Sequence, residues 1–137
     1  MGVEANKALI RRGLDEGINA RRAEVFDELL SPRYINYSWP APATGPAGFK
    51  DVIAMFTAAF PDMRVELAEV VGQDDRVATR GTVRGTHQGE FMGIPATGRA
   101  VAIEYIDIWR LEDGQAIENW AQLDLLGLLR QLGVAQG

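Results

Sequence analysis

The order of hydrophobic periods along this chain predicts an α+β fold, with helices gathered on one face of a mainly antiparallel sheet. Two observations carry that expectation. Apolar residues recur at helical spacing through the N-terminal part, and from Met63 onward the period changes to two, with Gly- and Asp-rich turns separating long alternating runs. With 137 residues, 47% of them hydrophobic, the chain can bury one core, and a single domain over 1–137 is expected.

The elements follow in order. Leu9-Ile10, Leu14 and Ile18 mark a first helix, and Val25-Phe26 with Leu29-Leu30 a shorter second one. Ser31-Pro32 should end it, because the residue before proline is pushed out of helical geometry. Tyr34 to Trp39 reads as a short aromatic strand stopped by Pro40 and Pro42. Pro46 suits the first turn of a third helix whose apolar face is Phe49, Val52-Ile53, Phe56 and Phe60. Strands are then expected from Met63 to the Gly72–Asp75 turn, from Arg76 to about His87, from about Arg99 to Leu111, and from Ile117 to Asp124. An apolar helix closes the chain from Leu125 to Gly133.

The hairpin between the last two strands decides which side chains share a face. A two-residue Asp113-Gly114 turn would set Asp107 opposite Trp120. A three-residue Glu112-Asp113-Gly114 loop would set Ile106 opposite Trp120 and Glu104 opposite Gln122, and is preferred because it adds apolar wall.

A net charge of −5 and a pI near 4.9 argue against a nucleic-acid surface, and Arg11-Arg12 and Arg21-Arg22 read as solvated helix faces. No run of about 20 apolar residues is present, so no membrane partner is expected. There is no cysteine and one histidine, and neither a nucleophile elbow nor a glycine-rich phosphate loop. Metal and other cofactors are therefore not expected, and a cytoplasmic location is the default.

Glu118, Trp120, Gln122 and Asp124 fall on one strand face by period two, which would place an aromatic wall and two carboxyl groups on a pocket floor. Asp124 also stands immediately before a helix, where Asp is a favoured cap. His87 opens a glycine-rich stretch in which Phe91, Met92 and Ile94 could fold over a pocket mouth, although a lone histidine is commonly structural. Tyr37 and Trp39 alternate on the short strand and could stack on a planar ligand or belong to the core. Asp107 lies among hydrophobic neighbours and needs a partner; an ion pair with Arg110 or Arg80 is expected.

Two stretches, Gly85–Arg99 (GTHQGEFMGIPATGR) and Arg110–Gly133 (RLEDGQAIENWAQLDLLGLLRQLG), make the chain resemble the SnoaL-like polyketide cyclases of the nuclear transport factor two-like superfamily. The resemblance implies a conical α+β barrel in which three N-terminal helices pack on a strongly bent sheet around a deep cavity. It implies metal-free intramolecular aldol closure of a hydrophobic polyketide-like or other carbonyl compound. Asp124 falls at the family's acid/base aspartate, with His87 available to bind an oxyanion. Tyr37, Trp39, Trp120, Gln122, Phe91 and Met92 would form the substrate-binding set. Asn119 and Tyr37 stand where many members carry histidine. A ligand-binding module without catalysis, or a hydrolase or dehydratase, is the competing expectation on the same fold. The apolar circumference of the last helix, together with the superfamily's habit of pairing through outer sheet faces, predicts a homodimer or a dimer of dimers.

Overall fold

In the computed structural model, residues 2–38 and 42–134 are described. Helix α1, Val3–Arg12, runs on into a π-helical segment over Gly13–Asn19, and the pair buries Ile10, Leu14 and Ile18. Helix α2, Val25–Leu29, crosses them at Gly17, where an added Cβ would lie 2.5 Å from the Phe26 ring. Only glycine permits that approach. Strand β1, Leu30–Asn36, begins four residues before the expected Tyr34. Helix α2 ends at Leu29, ahead of Ser31-Pro32 as expected, and these two residues already belong to the strand, whose pairing with β6 is broken between Leu30 and Ile35, where Pro32 has no N–H to give.

After the two-residue β2, Ala43–Thr44, helix α3, Gly45–Ala59, starts with proline in its first turn. Then come β3, Arg64–Gln73; β4, Arg76–Thr86; β5, Ala100–Glu112; β6, Gln115–Leu123; and α4, Leu125–Leu132. The strands form one curled, unclosed sheet in the order β2-β1-β6-β5-β4-β3, antiparallel except for β1 against β6. A bulge in β3 between Leu67 and Glu69 and another in β6 bend it. Its concave face and the helices enclose a core that runs from Ile10 and Phe26 through Phe49, Phe56 and Trp109 to Leu128.

Neither expected register occurs. The β5–β6 turn is the two-residue Asp113-Gly114, both residues left-handed at φ 51° and 77°. A bulge at Ile117 then shifts the ladder by one, because Arg110 pairs with Glu118 and Leu111 with Ala116. Ala116 and Ile117 are both buried as a result. Beyond the bulge Ile108 faces Trp120, Ile106 faces Gln122, and Asp107 faces Ala121. A one-residue slip exchanges the two faces of a strand, and here it turns Trp120 and Gln122 outward and Asn119, Ala121 and Leu123 inward.

Candidate functional site

A cavity of about 110 Å³ lies between α3 and the concave face of the sheet. Helix α3 lines it with Phe49, Val52, Ile53 and Phe56, presented at helical spacing. Tyr105, Asp107 and Trp109 enter from β5, Asn119, Ala121 and Leu123 from β6, Asn36 from the end of β1 and Ser38 from the chain just beyond it. The polar members are neighbours by register. Asn36 pairs with Asn119, Asn119 with Trp109, and Ala121 with Asp107.

Asp107 is 6% exposed and is the cavity's single charged residue among the described residues. Thr79 Oγ1 donates to its Oδ1 at 2.5 Å. Burial raises its pKa to about 6, opposed by the Thr79 hydroxyl, then by the Trp109 side chain and the Thr79 backbone. The expected ion pair does not form. Arg110 is bound to Glu118 and Arg80 to Glu69, both on the convex face, because Arg110 on β5, and Arg80 on β4 opposite Ile106, point away from the face that Asp107 shares with Thr79. Burial, and then the charge of Asp107, raises the pKa of the Tyr34 phenol. Asn36 Oδ1 accepts the Ser38 N–H at 3.0 Å, leaving the amide NH₂ as its remaining donor. Asn119 Nδ2 donates to the Ile108 carbonyl at 3.1 Å, leaving its oxygen as an acceptor.

The residues singled out in the sequence lie elsewhere. Asp124 is exposed and caps α4, accepting the Gly127 N–H at 2.8 Å. It borders a separate outer concavity with Arg80, Glu104 and Gln122. Tyr37 and Trp120 do stack, at 5.4 Å between centroids, but on the convex face, where Tyr37 is 45% exposed and hydrogen-bonded to Glu118. Trp39 lies outside the described residues.

His87 is fully buried, and its Nδ1 accepts the Thr97 N–H at 3.1 Å while the ring packs on Phe60. It closes the 87–98 loop and does not line the cavity. Phe91 is core, against Phe56 and Phe60, and Met92 is exposed at φ 52° beside Gly93 at φ 78°, the tip of a two-residue turn. Asp107, Asn36 and Asn119 were not singled out as site residues. For Asp107 a signal existed: Val101, Ile103, Tyr105, Trp109 and Leu111 share its parity, so the carboxyl had to enter the apolar face with them.

The same architecture recurs among known proteins. Residues 8–132 match the family described as SnoaL-like polyketide cyclase. The chain belongs to that family. Nogalonic acid methyl ester cyclase of Streptomyces nogalater is 30% identical over 84% of this chain and 88% of the relative. The aklanonic acid methyl ester cyclase DnrD of Streptomyces peucetius is 28% identical over 91% and 88%. Among solved structures, TsrD of Streptomyces laurentii superposes with a TM-score of 0.89 at 31% identity, covering 98% of this chain and 99% of that one. AclR of Streptomyces galilaeus, a candidate hydroxylase, gives 0.88 at 30%, covering 99% and 89%. This SnoaL-like chain thus presents its cavity carboxylate from β5, with Ala121 directly across the ladder. Among the described residues no cluster of metal-ligating side chains occurs and no helix is long and apolar enough to cross a membrane.

Proposed function

We propose that the protein is a cofactor-independent cyclase that closes a ring by intramolecular aldol addition, with Asp107 as the acid/base group. The observation that carries this reading is a lone carboxyl group, held in an apolar cavity and titrating near 6. Such a group exists in both protonation states near neutral pH, which a residue that takes and then returns a proton requires. Asp124, solvated and committed to its cap, lies outside that cavity.

The Asp107 carboxylate removes a proton from a methylene activated by flanking carbonyls. The resulting enolate carbon adds to a ketone carbon of the same molecule, forming the C–C bond. The new alkoxide takes the proton back from Asp107, so substrate and product have the same mass. The Asn36 amide donor lies where it can hold the enolate oxygen, and the aromatic and aliphatic wall of α3 excludes water. The cavity is smaller than the roughly 300–1,000 Å³ that encloses a drug-sized ligand. It therefore takes the reacting end of a polycyclic polyketide ester, with the remaining rings in its mouth. We further place the enzyme in the cytoplasm as a homodimer paired through the convex face, where Val71, Ile106 and Ile108 are exposed.

The test is incubation of wild type and Asp107→Asn with nogalonic and aklanonic acid methyl esters, followed by mass spectrometry. Conversion at unchanged mass by wild type, reduced about 10²–10⁴-fold in the variant, is expected. Gain or loss of water would replace the cyclase reading with a hydrolase or dehydratase, and tight binding without conversion would make the domain a carrier.

A further inference from the structure

Asp107 is held by a side chain that does not line the cavity. Thr79 sits directly across the β4–β5 ladder from it and is 2% exposed. Its Oγ1 lies 2.5 Å from Asp107 Oδ1 and 3.1 Å from the Tyr105 hydroxyl. A threonine hydroxyl has one proton to give, and an ionised carboxylate can only accept. While Asp107 is ionised, the Thr79 proton goes to Asp107 and Tyr105 is the donor in the second bond. In that state the chain runs from Tyr105 through Thr79 to Asp107.

We propose that Thr79 is the positioning residue of this acid/base site: its hydroxyl, oriented by Tyr105, pins Asp107 Oδ1 and favours the ionised carboxylate. The proposal rests on the assignment of Asp107 as the acid/base group. Among the described residues, the titratable groups around Asp107 are two phenols, Tyr34 of β1 and Tyr105 of β5. The cavity-lining residues of α3, β3, β4 and β6 are uncharged. Among the described residues no cation lines the cavity to stabilise the anion, and the charge-assisted hydrogen bond from Thr79 on the neighbouring strand is the largest effect opposing burial, ahead of the Trp109 side chain.

The experiment is a carboxyl ¹³C NMR titration of Asp107 in the ligand-free protein, alongside the pH profile of kcat/KM with nogalonic acid methyl ester, for wild type, Thr79→Val, Thr79→Ser and Tyr105→Phe. Losing a hydrogen bond to a charged group should move the Asp107 titration in Thr79→Val upward by about one to two pH units. Thr79→Ser should stay at the wild-type value, and Tyr105→Phe should move upward by a smaller step. The acid limb of kcat/KM should follow each titration. An unmoved titration in Thr79→Val overturns the proposal. If that variant does not fold, an unmoved titration in Tyr105→Phe overturns it. A titration that moves while the acid limb stays put removes Asp107 from the reaction, and the catalytic meaning of Thr79 with it, although the hydrogen-bond chain itself stands.

Discussion

At the scale of single residues, Asp107 links stability to chemistry. Its folded pKa, raised to about 6, lies above the ordinary carboxylate value, so the native chain holds this proton more tightly than the unfolded chain does. Its contribution to stability is therefore full below about pH 4 and is lost as pH rises through about 6. At pH 8 the buried anion costs on the order of 2–3 kcal/mol. Asp107→Asn should accordingly be more stable than wild type at pH 8, with the gap closing toward pH 4, as read by urea denaturation at the two pH values. A variant that gains stability while losing turnover separates a catalytic carboxylate from a structural one. Asp124 predicts the opposite pattern. Asp124→Ala should lose about 1 kcal/mol and a few degrees of Tm, with Asp124→Ser restoring most of it. Turnover should stay within about twofold of wild type, because the change touches only the start of α4.

At the scale of elements, the bulge in β6 decides the site. It moves one residue out of register at Ile117, and every side chain beyond it changes face. Deleting Ile117 would push Trp120 and Gln122 toward the cavity and Asn119 toward solvent. We expect loss of the cooperative unfolding transition in circular dichroism, since Trp120 would meet the wall already filled by Phe49 and Trp109. The α4 cap shows the same dependence on one position. An added Cβ at Gly127 would lie 2.1 Å from Asp124 Oδ2, so Asp124 and Gly127 form one unit and Gly127→Ala should cost at least as much as Asp124→Ala. Helix α3, by contrast, was readable from its apolar spacing, because a single amphipathic stripe against a sheet fixes which face turns inward.

At the scale of the whole molecule, the curled sheet has two differently used faces. The concave face carries the cavity, and the convex face carries Ile106 at 55% and Ile108 at 41% exposure beside the Tyr37–Trp120 stack, with Arg76 over the indole at 5.5 Å. Charges flank this patch in pairs, Arg80 with Glu69 and Arg84 with Glu66, so a second copy could bury the apolar centre within a polar rim. If the convex faces pair, Ile106→Lys with Ile108→Lys should convert the protein from dimer to monomer in sedimentation velocity. Its ligand-free fold should be intact, because both side chains already face solvent. Dimer persistence in that variant would move the interface elsewhere, with the exposed Leu126 side of α4 as the next surface to test.

By itself the sequence determined the α+β class, the order of helices and strands, the apolar stripe of α3 and the family. Each of these follows from local periodicity, turn residues or motifs that need no knowledge of what lies across the sheet. The identity of the site was decided by tertiary structure. Period two shows which residues share a face but not which face is concave, and the bulge at Ile117 reversed that assignment for Trp120, Gln122 and Asp124. Burial, with no cation lining the cavity among the described residues, sets Asp107 apart as the proposed acid/base carboxyl, and the partner that holds it, Thr79, comes from a strand 28 residues earlier in the chain. Such a pairing exists only once the sheet has closed the distance between them.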